Sequence, residues 1–175
     1  MVPSPDTWSF GERSWHGGCD EIPLPRGPGR LWLCGKRFVA EGPEEALAAI
    51  EGTGILCLCE RHELEERYPS YVVWLSNESE ERATWFPIPD FHAPDLDDAV
   101  PFLAALRTRI ELGERLIMHC GAGIGRSGTM AAALLMGLGM DRLAAVSCVA
   151  AHRPMAGPEV GAQQSFLVGL AALLR

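Results

Sequence analysis

The feature that most constrains this chain is a glycine-rich segment between an apolar run and a helical pattern. Residues 116–119 predict a short buried strand, and residues 126–138 predict a helix. Between them, Gly121, Gly123 and Gly125 fall within five residues. Glycine adopts backbone angles that other residues avoid, so successive amide groups can turn to one side and surround an anion. We call residues 121–125 the anion loop.

The rest of the chain alternates between strand and helix patterns. Predicted strands cover residues 31–35, 55–59, 84–88 and 116–119, and predicted helices cover residues 43–50, 63–68, 95–112, 126–138, 141–151 and 160–174. This alternation is typical of an α/β fold with a central, largely parallel sheet flanked by helices. Proline and glycine are frequent over residues 1–28. We expect an irregular lead segment there, followed by one domain over residues 29–175.

Charge and cysteine content narrow the class of protein. The formal net charge of −8 argues against nucleic acid or an anionic membrane as a partner. The longest apolar run, residues 130–140, is too short to span a bilayer, and no secretory signal pattern opens the chain. We therefore expect a cytoplasmic protein with reduced thiols at its six cysteines. No cysteine pairs have zinc-site spacing, so we expect no metal.

Cys120 and Arg126 give the anion loop its predicted chemistry. Cys120 ends the strand and is expected at the bottom of the cradle, where amides that bind phosphate also stabilise a thiolate. Arg126 follows the loop and can present two parallel N–H donors to phosphate oxygens. The expected phosphate-binding residues are Gly121, Ala122, Gly123, Ile124, Gly125 and Arg126. Ser127 can donate a hydrogen bond to the sulfur, and we expect His119 to shape the loop rather than act as a base.

A thiolate that attacks phosphorus needs an acid to protonate the leaving group. Asp90 is the candidate, thirty residues before Cys120, at a predicted strand end followed by a proline-flanked loop. The alternative is that Asp90 is a turn residue. Asp95 is the rival acid, but its place before a helical pattern favours an N-cap.

The sequence HCGAGIGRSG, residues 119–128, resembles the Cys-X5-Arg signature of cysteine-dependent dual-specificity phosphatases. Residues 31–35, 58–64 and 86–90 are similar to the cyclin-dependent-kinase-associated phosphatase and its small atypical relatives. The resemblance implies a protein-tyrosine-phosphatase-like fold and hydrolysis of phosphotyrosine and phosphoserine or phosphothreonine through a phosphocysteine, without a cofactor. It also implies that Cys120 is the nucleophile, Arg126 the phosphate clamp and Asp90 the acid.

The resemblance suggests two further roles. A glutamine positions the hydrolytic water in some members, and Gln163 is the candidate here, with Gln164 as a competitor. Cys59 is the candidate redox partner of Cys120. We expect Cys57 and Cys59 to be core residues of one strand, on its opposite faces. The acidic run at residues 63–67 is expected to be solvated surface.

Two other functions stay open at this point. The chain could be a catalytically weak module that binds phosphoproteins, or a phosphatase of a non-protein phosphate such as a phosphoinositide. Phosphoinositide phosphatases of this superfamily usually carry lysines in the loop, where this chain has Ala122, Gly123 and Ile124. A phosphorylated protein is therefore the favoured partner. A nucleotide-binding loop is disfavoured because Arg126 and Ser127 stand where a lysine would be needed.

Overall fold

The computed structural model describes residues 10–174, with side chains described from residue 13 onward. Its centre is a five-stranded sheet in the order β1-β2-β5-β3-β4. The strands are β1 (Cys19–Ile22), β2 (Arg30–Gly35), β3 (Gly54–Cys57), β4 (Ala83–Trp85) and β5 (Arg115–Cys120). Strand β1 runs antiparallel to β2, and the other neighbouring pairs are parallel. The predicted α/β fold with a largely parallel sheet is therefore confirmed.

Helices cover both faces of this sheet. They are α1 (Phe10–His16), α2 (Lys36–Ala40), α3 (Pro43–Ile50), α4 (Pro69–Asn77), α5 (Leu96–Glu111), α6 (Gly125–Gly137), α7 (Arg142–His152) and α8 (Gly161–Leu173), with a 3₁₀ helix at Arg61–Glu63. Successive strand residues point to opposite faces. Leu31 and Leu33 of β2 therefore pack with α5–α8, whereas Trp32 and Cys34 pack with α2–α4.

Strand β5 and helix α6 form the middle of the molecule. β5 lies between β2 and β3, so its carboxyl end emerges at the centre of the sheet edge. Residues 125–136 of α6 are all buried. An α-helix that is apolar on every side is expected in the core, and the run of alanine, leucine and methionine at residues 130–136 provides that surface. The segment between β5 and α6 is thus held by well-packed elements at both ends.

Two expectations about local structure were wrong. Within the predicted irregular lead segment, residues 10–16 form α1 and residues 19–22 form β1, whereas residues 1–9 lie outside the described part. β1 was missed because it is short and carries a buried aspartate, Asp20, in place of an alternating apolar pattern. Residues 63–68 do not form the predicted helix. A 3₁₀ turn ends at Glu63, and α4 begins at Pro69, where a first-turn proline is tolerated.

The lengths of the described helices show whether any of them could cross a membrane. None of them within residues 10–174 combines the length and apolar character needed to cross a membrane.

The close approach of α6 to the connection between α7 and α8 makes a testable prediction about stability. A Cβ at Gly128 would lie 2.2 Å from the Gly157 amide nitrogen, whereas a Cβ at Gly137 in the same helix meets nothing within 4 Å. Gly128→Ala should lower the free energy of unfolding by about 1–3 kcal/mol, as expected for overpacking. Gly137→Ala should leave it unchanged or raise it by up to about 1 kcal/mol. Chemical denaturation measures both, and equal effects would contradict the packing described.

Candidate active site

The anion loop is held by its carbonyl groups. The carbonyl oxygens of residues 121–124 all accept hydrogen bonds from the surrounding scaffold. The donors are the Lys36 amide to Gly121 at 3.1 Å, Arg153 to Ala122 at 3.0 Å and to Gly123 at 2.6 Å, and the Gly157 amide to Ile124 at 3.2 Å. Within the described residues, the amides of 121–124 donate no hydrogen bond. The carbonyls therefore point to the scaffold, and the amides stay available to an anion.

Gly123 is where the loop needs glycine most. Its φ of +75° lies in the left-handed region of backbone conformation, which residues other than glycine rarely adopt. A Cβ there would lie 2.3 Å from the carbonyl oxygen of Cys34, at the end of β2. The loop is thus packed directly against the sheet edge.

Cys120 lies at the base of this loop. It is 3% exposed, and its Sγ is 3.3 Å from the Ser127 Oγ in the first turn of α6. His119 points to the other layer of the protein, where its Nε2 is 2.7 Å from the Tyr71 hydroxyl. Its Nδ1 is 3.4 Å from the Cys120 carbonyl oxygen. The imidazole therefore supports the backbone behind the sulfur, as predicted. Among the described contacts, its ring nitrogens make no hydrogen bond with the Cys120 Sγ.

The Arg126 guanidinium is positioned by Glu63. Its NH1 is 2.6 Å from one Glu63 carboxylate oxygen and its NH2 is 2.8 Å from the other, and NH1 also donates to the Ile88 carbonyl oxygen at 2.9 Å. The Arg126 Nε is buried and lacks a hydrogen-bond partner among the described residues. Burial alone would lower the pKa of Arg126, but the Glu63 hydrogen bond and the Cys120 charge outweigh it. The net pKa is raised, so the clamp stays charged.

Glu63 is a functional residue that sequence reasoning missed. Its side chain is 13% exposed, so the expected solvated surface is wrong at this position. Burial alone would raise the pKa of Glu63, but the hydrogen bonds from Arg126 and the Glu60 amide outweigh it and lower the pKa. The run of acids around it carried no signal for this role, because Glu65 and Glu66 are exposed.

Asp90, rather than Asp95, lies beside the clamp. Asp90 Oδ1 is 3.2 Å from Arg126 NH2, and its side chain is 60% exposed. The next residue, Phe91, has a φ of +57°, which is unusual for a bulky side chain. Asp95 is the N-cap of α5, as predicted, although its side chain makes no capping hydrogen bond. The structure thus brings the exposed candidate acid to the same guanidinium that closes the anion loop.

Gln163 and Gln164 have different surroundings. Gln163 is fully buried, and its Oε1 accepts from the Glu159 amide at 2.8 Å while its Nε2 donates to the His92 carbonyl oxygen at 3.2 Å. Its Nε2 would lie 3.3 Å from a Cβ at Gly125, so it borders the anion loop. Gln164 is exposed. Gln163 is therefore the glutamine that the fold places next to the loop.

Cys57, Cys59 and His119 form a buried cluster behind the site. Their ligand atoms lie within 4.8 Å of one another, which provides three potential metal ligands, one fewer than a structural zinc site uses. Cys57 ends β3 and Cys59 follows two residues later, and both thiols pack in the α2–α4 layer, so the expectation of opposite faces was wrong.

The redox role of Cys59 stays a prediction. Cys59 is a free thiol that packs in the α2–α4 layer, whereas Cys120 packs in the α5–α8 layer. A hydrogen bond with Cys57, together with burial, raises the pKa of the Cys59 thiol. Cys59 is therefore protonated at neutral pH, which disfavours it as an attacking thiolate.

Comparison with solved structures shows the same architecture elsewhere. The structure is similar to Tk-PTP in its active form, with a TM-score of 0.65 and 26% identity over 86% of this chain and 99% of that chain. It is similar to kinase associated phosphatase (KAP) with its catalytic-site cysteine replaced by serine, with a TM-score of 0.76 and 22% identity over 90% of this chain and 95% of that chain. A third match is PTPMT1 in complex with PI(5)P, with a TM-score of 0.60 and 16% identity over 82% of this chain and 91% of that chain.

The sequence itself also identifies the family. No curated protein matches the chain. Residues 28–165 match the family model described as the Swiss Army Knife protein, DSP-PTPase phosphatase domain, and this range includes the anion loop, Cys120 and Arg126. The chain belongs to this family and is a cysteine-based phosphatase of the dual-specificity type.

Proposed function

We propose that the protein hydrolyses phosphomonoesters on phosphoproteins, at phosphotyrosine and at phosphoserine or phosphothreonine, through a phosphocysteine and in the cytoplasm. The observation that carries the proposal is the anion loop, in which the carbonyls of residues 121–124 are bound to the scaffold while Cys120 lies at its base. The buried Arg126 Nε adds support, because a phosphate oxygen would supply the acceptor that the described residues do not.

The first step forms the S–P bond. Loop amides and Arg126 bind the phosphate oxygens, and the Cys120 thiolate attacks phosphorus opposite the ester oxygen. The P–O ester bond breaks, and Asp90 in its acid form donates its proton to the departing oxygen. The position of Asp90 beside Arg126, with the Oδ1 atom 3.2 Å from NH2, supports this assignment.

The second step hydrolyses the intermediate. Asp90, now a carboxylate, takes a proton from the attacking water, which Gln163 helps to position from the border of the loop. The S–P bond breaks, inorganic phosphate is released, and Cys120 leaves as a thiolate. The Ser127 hydroxyl, 3.3 Å from Sγ, donates a hydrogen bond that stabilises the departing sulfur.

The loop composition supports a phosphoprotein substrate. Residues 121–125 contain no lysine, so the loop itself offers no ammonium group to the further phosphates of an inositol headgroup. The nearby Lys36 ammonium donates to the Glu63 carbonyl oxygen at 3.0 Å. The complex of PTPMT1 with PI(5)P shows a protein of similar fold with a lipid, at an identity where the likeness concerns the fold alone.

A substrate panel tests the proposed substrate class. We expect the wild-type protein to release phosphate from matched phosphotyrosine and phosphothreonine peptides in EDTA, at least tenfold faster in kcat/KM than from a short-chain phosphoinositide. Cys120→Ser should abolish turnover because it removes the nucleophile, yet still bind phosphate. Faster turnover of the phosphoinositide would contradict the protein assignment, and a wild type as inactive as Cys120→Ser would support the binding-module alternative.

The dependence on leaving group tests Asp90. Asp90→Asn should lower kcat/KM, which reports the steps up to formation of the phosphocysteine, by roughly 10²–10⁴ on phosphopeptides, whose alkoxide or phenoxide leaving groups need a proton. The loss should be much smaller on an activated aryl phosphate such as para-nitrophenyl phosphate. Asp95→Asn is the matched control and should change neither rate by more than about twofold, since Asp95 caps α5. An equal loss on both substrates, or a larger effect of Asp95→Asn, would show that the acid is misassigned.

The pH dependence of stability tests the Glu63–Arg126 pair. Glu63→Gln should lower the free energy of unfolding at pH 7 by about 1–3 kcal/mol, as for a lost charge-assisted hydrogen bond. The pKa of Glu63 is lowered in the folded state, so its stabilisation is present above the unfolded pKa of about 4.3 and is lost as pH falls through the folded pKa. The difference from wild type should therefore shrink below about pH 4.

Glu65→Gln provides the control for this measurement. Glu65 pairs with Arg61 at 3.0 Å on the exposed surface of the same segment. This variant should change the free energy of unfolding by less than about 1 kcal/mol, as measured by urea denaturation. A Glu63→Gln effect that is the same at pH 7 and pH 3 would show that the ionised carboxylate is not what stabilises the clamp.

A further inference from the structure

We propose that Asp20 is a positioning residue of the active site, acting through Arg153 on the anion loop. The inference deepens the proposed function, because it concerns how the same loop is kept ready for phosphate. Asp20 lies on β1, at the opposite end of the chain from Arg153, and does not contact the reacting atoms in this scheme.

Asp20 is a fully buried carboxylate shared by two arginines. Its Oδ2 is 2.7 Å from Arg153 NH1, and its Oδ1 is 2.6 Å from Arg13 NH2. The Arg153 side chain is 4% exposed and the Asp20 side chain is not exposed at all. A buried charge is retained only when it is paired and hydrogen-bonded, so the buried Arg153 depends on Asp20, whereas Asp20 also has Arg13 as a partner.

Arg153 transmits this pairing to the loop. Its Nε donates to the Gly123 carbonyl oxygen at 2.6 Å and its NH2 to the Ala122 carbonyl oxygen at 3.0 Å. NH1 donates to Asp20 at 2.7 Å, its shortest contact, and to three backbone carbonyl oxygens at 3.3 Å, those of Gly17, Gly18 and Leu33. The guanidinium is planar and rigid, so a partner that fixes one nitrogen fixes the directions of the others. Asp20 thereby sets the orientation in which Arg153 holds two loop carbonyls away from the anion site.

Loss of the carboxylate should therefore reach the phosphate site. Arg153 would keep a buried positive charge without its charged partner, which favours reorientation of the guanidinium toward water. The Ala122 and Gly123 peptides would lose their fixed acceptor geometry, and a peptide that turns presents a carbonyl oxygen to the anion. Phosphate affinity and turnover should fall together, since both depend on the same amides.

A purely structural role for Asp20 makes a different prediction. In that case Asp20 would only attach β1 to the sheet, and its replacement would lower the melting temperature without changing the site in molecules that remain folded. The measurements that separate the two roles are the inhibition constant of inorganic phosphate, kcat/KM, and the protection of Cys120 by phosphate against iodoacetamide. All three are made well below the melting temperature of each variant.

The decisive variant is Asp20→Asn, which keeps the side-chain shape and removes the charge. We expect a loss in kcat/KM of roughly 10–100-fold, as for small misplacements of catalytic groups, and phosphate inhibition weakened by about tenfold. Asp20→Glu should recover part of both. Glu21→Gln is the matched control on the next residue of β1, where it removes a pair with Arg30 that does not involve the loop, and it should stay within about twofold of wild type.

The outcomes decide the inference separately from the proposed function. A folded Asp20→Asn protein with a lowered melting temperature but wild-type phosphate inhibition and kcat/KM would overturn it. If Asp20→Asn does not fold, the Arg153→Lys variant is used instead, because lysine keeps the charge near Asp20 but cannot reach both loop carbonyls. Unchanged phosphate affinity in Arg153→Lys would also overturn the inference. A wild-type protein without turnover would defeat the proposed function. The role of Asp20 would still be decided by comparing how well phosphate protects Cys120 against iodoacetamide in the wild type and in the variants.

Discussion

Hydrogen bonds to the backbone carbonyls of residues 121–124 are the interaction on which this active site depends. A peptide group has one donor and one acceptor on opposite sides, so fixing the acceptor toward the scaffold turns the donor the other way. The Lys36 and Gly157 amides and the Arg153 guanidinium supply the donors. The loop amides then form a positive surface at the start of α6, whose own N-terminal amides add to it. The thiolate chemistry requires this arrangement before any substrate binds.

The rest of the fold provides these donors from distant parts of the chain. β5 and α6 bring Cys120 and Arg126 to the sheet edge, and the 3₁₀ turn after β3 brings Glu63 to the clamp. The connection after α7 supplies Arg153 and Gly157, and β1 supplies Asp20. Each of these groups is buried or nearly so, and apart from the Arg126 Nε, which is left for phosphate, their buried polar side-chain atoms are paired, which rigidifies the site. The catalytic geometry is therefore a property of the whole domain, including its N-terminal strand.

The sequence predicted those parts of the site that are contiguous. Cys120, the three loop glycines and Arg126 lie within seven residues, so a local pattern of strand, loop and helix was enough to indicate their chemistry. Asp90 could be proposed because a strand end before a proline-flanked loop is also a local signal. The parallel sheet followed from alternation of strand and helix patterns, which reflects how each element buries its apolar side.

The supporting residues could not be found in this way. Glu63 stands in an acidic run whose other members are exposed, and only the tertiary fold separates it from them. Asp20 has its partner 133 residues away, and one carboxylate in a Pro- and Gly-rich segment gives no sign that it is buried. Long-range pairs of this kind depend on sheet order, and nothing in the strand patterns indicated that β5 lies between β2 and β3.

The most direct test of the account is a crystal structure of the Cys120→Ser variant with inorganic phosphate. We expect phosphate oxygens within hydrogen-bond distance of the amides of residues 121–126, an Arg126 Nε that donates to one of them, and carbonyls of residues 121–124 that keep their bonds to the scaffold. A loop carbonyl directed at the phosphate, or phosphate bound away from residue 120, would contradict it.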